Sequence, residues 1–219
     1  MQALHELSQL SVKFDEPNLV SCAGLSPVLA LASCCGLPDL VKATLTVPGS
    51  VGANAQLKVP ALVAGMVAGA DCIEDMDLLR HGGMGRLFGG VRAPSTLGSF
   101  LRAFTFGHVR QLDAVAAKVL VGLAERSPLL GGASAVAFVD VDDTVKQTYG
   151  YAKQGTGYGY SGVKGLNALL ATVSTPTNAP VIVATRLRKG SANSARGAAR
   201  LVGDAVRTAR RAAATTAWL

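Results

Sequence analysis

The segment Phe138-Val-Asp-Val-Asp-Asp-Thr144 places Asp140, Asp142 and Asp143 at the end of an apolar run that begins at Ala135. Such a run, β-branched toward its end, reads as a strand. Side chains alternate across a strand, so Asp140 and Asp142 share one face while Asp143 points to the other. Two carboxylates on one face are costly unless a cation neutralises them. Mg²⁺ suits them, because it takes hard oxygen ligands, usually one or two carboxylates, and keeps room for water and phosphate. Two such ions can activate the attacking oxygen and stabilise the leaving oxygen of a phosphodiester. Aspartates at a strand end also cap helices, form turns or simply end a sheet in water, and this reading stays open beside the first.

Beyond the acidic run lies a stretch rich in Lys, Gly and Tyr, from Lys146 through Gly155 to Tyr158-Gly-Tyr-Ser-Gly-Val-Lys-Gly165. A glycine-rich loop can approach a phosphate backbone closely. Lys153 and Lys164 would supply charge, and Tyr158 or Tyr160 a stacking face. After Pro180 the chain carries Arg186, Arg188, Lys189, Arg196, Arg200, Arg207, Arg210 and Arg211 against Asp204 alone. The net charge is +7. A polyanion, with a phosphate backbone as the commonest example, is the natural partner. The alternative is a solvated helix face balanced by acids elsewhere in the fold.

These residues need elements to hold them. A helical region is expected over residues 17–47, broken at Gly36-Leu-Pro38, where Pro38 and Asp39 suit a helix start. Pro60–Ala70 and Asp71–Leu79 follow as helices, and a short strand is expected around Ser11–Phe14. Pro94-Ser-Thr96 opens another helix, with Ser95 or Thr96 as its cap. A second runs over Val109–Arg126. The two, around a Gly-rich turn and flanked by Arg102 and Arg110, fit a helix-turn-helix that reads DNA, or an ordinary helical hairpin. Ser127–Gly132 reads as a linker. After it the pattern gives strands at Ala135–Asp142, Val163–Val173 (interrupted at Lys164-Gly165 and Asn167) and Pro180–Arg188. A helix over Ser191–Ala214 follows, with Leu201, Val202, Ala205, Val206 and Ala209 inside. The fold class is therefore α/β, with a helical N-terminal region at 1–126 and a β-β-β-α unit at 133–219. That order is how a ribonuclease H-like core begins, and many other folds share it.

No unbroken apolar run reaches the length of a membrane span, and the N-terminus lacks the basic start of a signal peptide, so a cytoplasmic location without membrane partners is expected. Cys22, Cys34, Cys35 and Cys72 match no zinc spacing and are expected to be buried, reduced thiols.

The run Val139-Asp-Val-Asp-Asp-Thr144, followed by Tyr149-Gly150, Lys153-Gln-Gly155, Tyr160-Ser-Gly162 and Lys164-Gly165, resembles the IS1380 family of bacterial DDE transposases in the IS4-like group. Ala70–Arg80 and Ala93–Arg102 resemble that family's N-terminal helical region, and Arg188–Asn193 resembles the basic turn before its long helix. The likeness extends from about Phe14 to Arg211. It implies a ribonuclease H-like core, an Asp-Asp-Glu triad holding two Mg²⁺ ions, and double-stranded DNA at the element's terminal repeats as partner. A homodimer is implied for the full-length form. The first catalytic aspartate maps to Asp142, with Asp140 as the same-face second choice and Asp143 last. The family's second aspartate follows the long Arg-rich helix, whereas here no Asp follows Asp204 and no Glu follows Glu125. The expectation is a truncated copy, inactive alone. Its alternatives are a non-catalytic DNA-binding protein competing at element ends, and an unrelated protein whose basic helix binds RNA or an acidic protein.

Overall fold

The computed structural model describes Lys13, residues 16–150 and residues 153–216. The strand expected around Ser11–Phe14 falls outside the described residues apart from Lys13. The N-terminal part is helical. Helix α1 spans Leu25–Cys34 and α2 spans Leu37–Thr44. Gly36, in the left-handed region at φ 80°, turns the chain between them, and Pro38 and Asp39 lie in the first turn of α2 as their types require. Short α3 spans Gly49–Gly52 and α4 spans Ala55–Val67. The sequence pattern starts this last helix at Pro60, but Pro60 lies inside it, because Asn54 adopts φ 58° and opens the helix five residues earlier. Asp71–Leu79 forms only a 3₁₀ turn over Glu74–Leu79. Four-residue α5 covers Met84–Leu87, α6 covers Pro94–Arg102 and α7 covers Phe106–Ala124.

Neither Ser95 nor Thr96 caps α6; Ala93 holds that position and Pro94 opens the helix. The turn before α7 is Ala103-Phe104-Thr105 rather than glycine-rich. Thr105 and His108 form a reciprocal capping box there, with the Thr105 N–H donating to His108 Nδ1 at 3.0 Å. Helix α7 contributes to two cores. Val115 packs in the helical core with Val41, Val59 and Phe100, while Ala124 packs in the sheet core. Beside these two contacts Ala114, Ala116 and Lys118 stay exposed.

The second part is a mixed unit of four antiparallel strands and one helix: β1 Phe138–Gln147, β2 Gly157–Tyr158, β3 Lys164–Thr175, β4 Asn178–Arg188 and α8 Ala198–Thr216. Strand β3 is central. It pairs with β1 along one edge and with β4 along the other, and β2 pairs with Lys164 and Gly165 at its start. The expected interruption of β3 does not occur, since the strand runs through Gly165 and Asn167 with every second residue buried. The buried set, Leu169, Ala171 and Val173, meets Val183 of β4 and Leu201, Ala205 and Ala212 of α8. Each large side chain removed from water this way contributes about 1.5–3 kcal/mol. The inner stripe of α8 is Leu201, Ala205, Thr208 and Ala212, and Val202, expected inside, is exposed. That helix starts later than its sequence pattern suggests. Ser191–Gly197 forms turns, with Gly197 at φ 81°.

The linker at 127–132 is clamped rather than loose. Gly131 O accepts hydrogen bonds from the Thr175 hydroxyl at 2.7 Å and the Thr177 hydroxyl at 3.0 Å, and Asn178 Nδ2 donates to Pro128 O at 3.0 Å. Among the described residues no single helix is long and apolar enough to cross a membrane. All four cysteines are free thiols, but only Cys35 is buried; Cys34 and Cys72 are exposed.

Candidate functional site

Strand β1 continues five residues past the point where its apolar run ends, so the aspartates lie in mid-strand rather than at its end. Register fixes their directions. Asp140 faces Thr172 and Asp142 faces Leu170 across the β1–β3 pair, and both carboxylates are exposed. Two residues of strand separate them by roughly 7 Å along the axis. Asp142 Oδ1 accepts the Asp143 backbone N–H at 2.8 Å.

Asp143 projects to the opposite face and is fully engaged there. Its Oδ2 accepts from Asn167 Nδ2 at 2.6 Å and from Arg188 Nη2 at 3.2 Å, and the Ser194 hydroxyl donates to its Oδ1 at 3.3 Å. Arg188 is 8% exposed. Its Nε donates to Asn167 Oδ1 at 2.9 Å, and Nη1 donates to the carbonyls of Asn193, Ser194 and Arg196 at 3.0, 3.0 and 2.8 Å. Arg188, expected on DNA, is a bracket inside the protein that joins β1, β3, β4 and the turn before α8. Its burial leaves no guanidinium edge for a phosphate. The side chain that looked like a break in β3, Asn167, is the centre of this bracket.

The other expected DNA contacts scatter. Lys164 lies on the same face as Asp142, but six residues of β3 separate it from Leu170, Asp142's partner, which is about 20 Å of strand. Its Nζ donates to Gly150 O at 3.2 Å. Lys153 and Lys189 are exposed, as are Tyr149, Tyr158 and Tyr160. The loop and the basic turn are tied together, because Gly190 N donates to Gly155 O at 2.9 Å. Arg102 is exposed on α6 and donates to Ser99 Oγ at 3.1 Å.

Arg110 lines a cleft of about 350 Å³ between α7, β4 and α8, and Arg186 of β4 is near enough to feel its charge. Arg110 bridges Asp113 at 2.6 Å and Asp204 at 3.5 Å, Arg207 also pairs with Asp204, and the Thr185 hydroxyl donates to Asp113 Oδ1 at 2.8 Å. Burial raises the Asp113 pKa above the ordinary aspartate value, outweighing the Thr185 and Arg110 hydrogen bonds that pull it down. Burial, then the charges of Arg110 and Arg200, lower the pKa of Arg186, whose Nη1 is buried without a hydrogen-bond partner among the described residues. The Asp113–Thr185 link was not foreseen, because nothing in local spacing joins residues 72 positions apart. Asn167 and Arg188 did carry a signal: both fall at inward positions of their strands, where a polar side chain must find a partner.

The carboxylates fit only part of a metal centre. Asp140 and Asp142 offer oxygen ligands on one open face. Among the described residues no group of three His, Cys, Asp or Glu could hold a metal ion. These residues therefore do not complete a two-ion site, and no catalytic step is assigned through Mg²⁺. No family model, curated protein or solved structure matches the chain.

Proposed function

We propose that this chain is the DNA-binding and first-aspartate portion of a DDE-type DNA transposase, with β1, β3, β4 and α8 as the opening of a ribonuclease H-like core. The observation that carries this reading is the exposed Asp140–Asp142 pair in the middle of β1, on the face opposite the Asp143–Arg188 bracket. Three long strands in antiparallel succession, followed by a helix packed on one face, support the same reading. Asp142 supplies the first metal-binding carboxylate and Asp140 its neighbour. Double-stranded DNA is the partner, held by the exposed cations Lys153, Lys189, Arg200, Arg207, Arg210 and Arg211. Alone, the chain does not cleave DNA with Mg²⁺.

A non-catalytic DNA-binding protein is the second reading, favoured by the fact that the exposed arginines of α8 owe nothing to the aspartate pair. Fluorescence anisotropy on an element-end duplex, with and without Mg²⁺, tests both. The expected result is a steep loss of affinity with salt, about one decade per decade of salt for each phosphate neutralised. Mg²⁺ should strengthen binding by the wild-type chain at constant ionic strength and leave Asp142→Asn unaffected. An Mg²⁺ response equal in both proteins selects the second reading. A flat salt response removes both.

A further inference from the structure

Lys58, on α4, is 4% exposed and has no carboxylate partner among the described residues. Its Nζ donates one hydrogen bond, to Val51 O at 2.7 Å, and lies 5.1 Å from the centre of the Phe100 ring. A buried ammonium with one carbonyl and a ring face is poorly compensated, since buried charges are normally paired. Burial, then the charge of Arg92, pull its pKa below the ordinary lysine value. Both effects disfavour its charged form.

This ammonium lines an open polar pocket of about 290 Å³, together with Ser50, Val51, Ser95, Thr96 and Ser99. Four of those six residues carry hydroxyls. The α6 end of the pocket adds a favourable field, because that helix begins at Pro94 with no acidic residue in its first turn and no side-chain cap. Hydroxyl donors and a helix start suit an oxyanion, which would give the ammonium a counter-charge beside its carbonyl and ring contacts.

We propose that the pocket between α3, α4 and α6 binds a phosphate group, with Lys58 as its charge partner and the hydroxyls of Ser50, Ser95 and Thr96 as donors at its rim. The proposal stands independently of the transposase reading. A phosphate of DNA and free phosphate present the same oxygens, so the experiment separates them.

Thermal unfolding of the full chain is followed in inorganic phosphate and in chloride of equal ionic strength. The wild-type midpoint should rise more in phosphate. Lys58→Met, an unbranched apolar replacement, and Thr96→Asp, which sets a carboxylate at the exposed rim, should each lose that excess. Thr96→Asp keeps the test valid if Lys58→Met folds poorly. Absence of any excess in the wild type, or its persistence in either folded variant, overturns the proposal. A mixed-sequence duplex then identifies the source. If the phosphate belongs to DNA, Lys58→Met weakens duplex binding about tenfold; if it is free phosphate, duplex affinity is unchanged.

Discussion

Three aspartates stand within four positions of β1, yet their environments assign them opposite tasks. Asp143 is held by Asn167, Arg188 and Ser194, whereas Asp140 and Asp142 face water without an ion-pair partner among the described residues. Arg188→Leu removes the cation beside the half-buried Asp143 carboxylate and the donors to the buried Asn167 Oδ1, and should destabilise the chain by about 3 kcal/mol in urea denaturation. Asp142→Asn, which only relieves repulsion from Asp140, should stay within about 0.5 kcal/mol of the wild type. Equal losses would mean that Asp142 is structural after all. Asp113 gives a pH signature. Its pKa is raised in the fold, so between the ordinary aspartate range and that higher value the folded chain binds more protons than the unfolded one. Stability from this group therefore falls as pH rises through that window. Asp113→Asn should flatten the fall, read as unfolding free energy against pH, and a fall of undiminished slope would place its origin elsewhere.

At the scale of elements, glycines set how closely the strands approach. A Cβ on Gly190 would overlap the carbonyl oxygens of Gly165 and Gly157, where β2, β3 and the basic turn converge. Gly190→Ala should cost about 2 kcal/mol by forcing these backbones apart. Gly203→Ala meets nothing within 4 Å in α8 and should gain about 0.5–1 kcal/mol from helix propensity. Chemical denaturation of the pair checks both signs. The same region shows what the sequence could and could not reveal. Strand parity placed Asp140 and Asp142 together and Asp143 apart, because alternation is a local rule. Pro38 and Pro94 marked helix starts for the same reason. Local rules ended β1 at Asp142 and broke β3 at Asn167, because a polar run looks like a strand's end. In the fold those polar groups satisfy one another across three strands. The late start of α8 has the same origin: the carbonyls of Asn193, Ser194 and Arg196 serve Arg188 rather than a helix.

Across the whole molecule, contacts of α7 reach over the boundary expected at residues 127–132. Helix α7 buries Val115 among α2, α4 and α6 and Ala124 beside Leu130, and it joins β4 and α8 through Asp113–Thr185 and Arg110–Asp204. One rigid element shared by two cores couples their unfolding. Weakening one core should then loosen the other, which distinguishes this arrangement from two beads on a linker. Val115→Ala removes buried apolar volume only from the helical core, at a cost of about 2 kcal/mol. Native-state hydrogen exchange reads where that cost is felt. The expected result is an equal loss of protection at Val41 in α2 and at Leu169 and Ala171 in β3, whose amides report the two cores separately. If Val41 lost protection while β3 kept its own, the regions 1–126 and 133–219 would be independent folding units. The contacts of α7 with β4 and α8 would then be a docking of two domains rather than a common core.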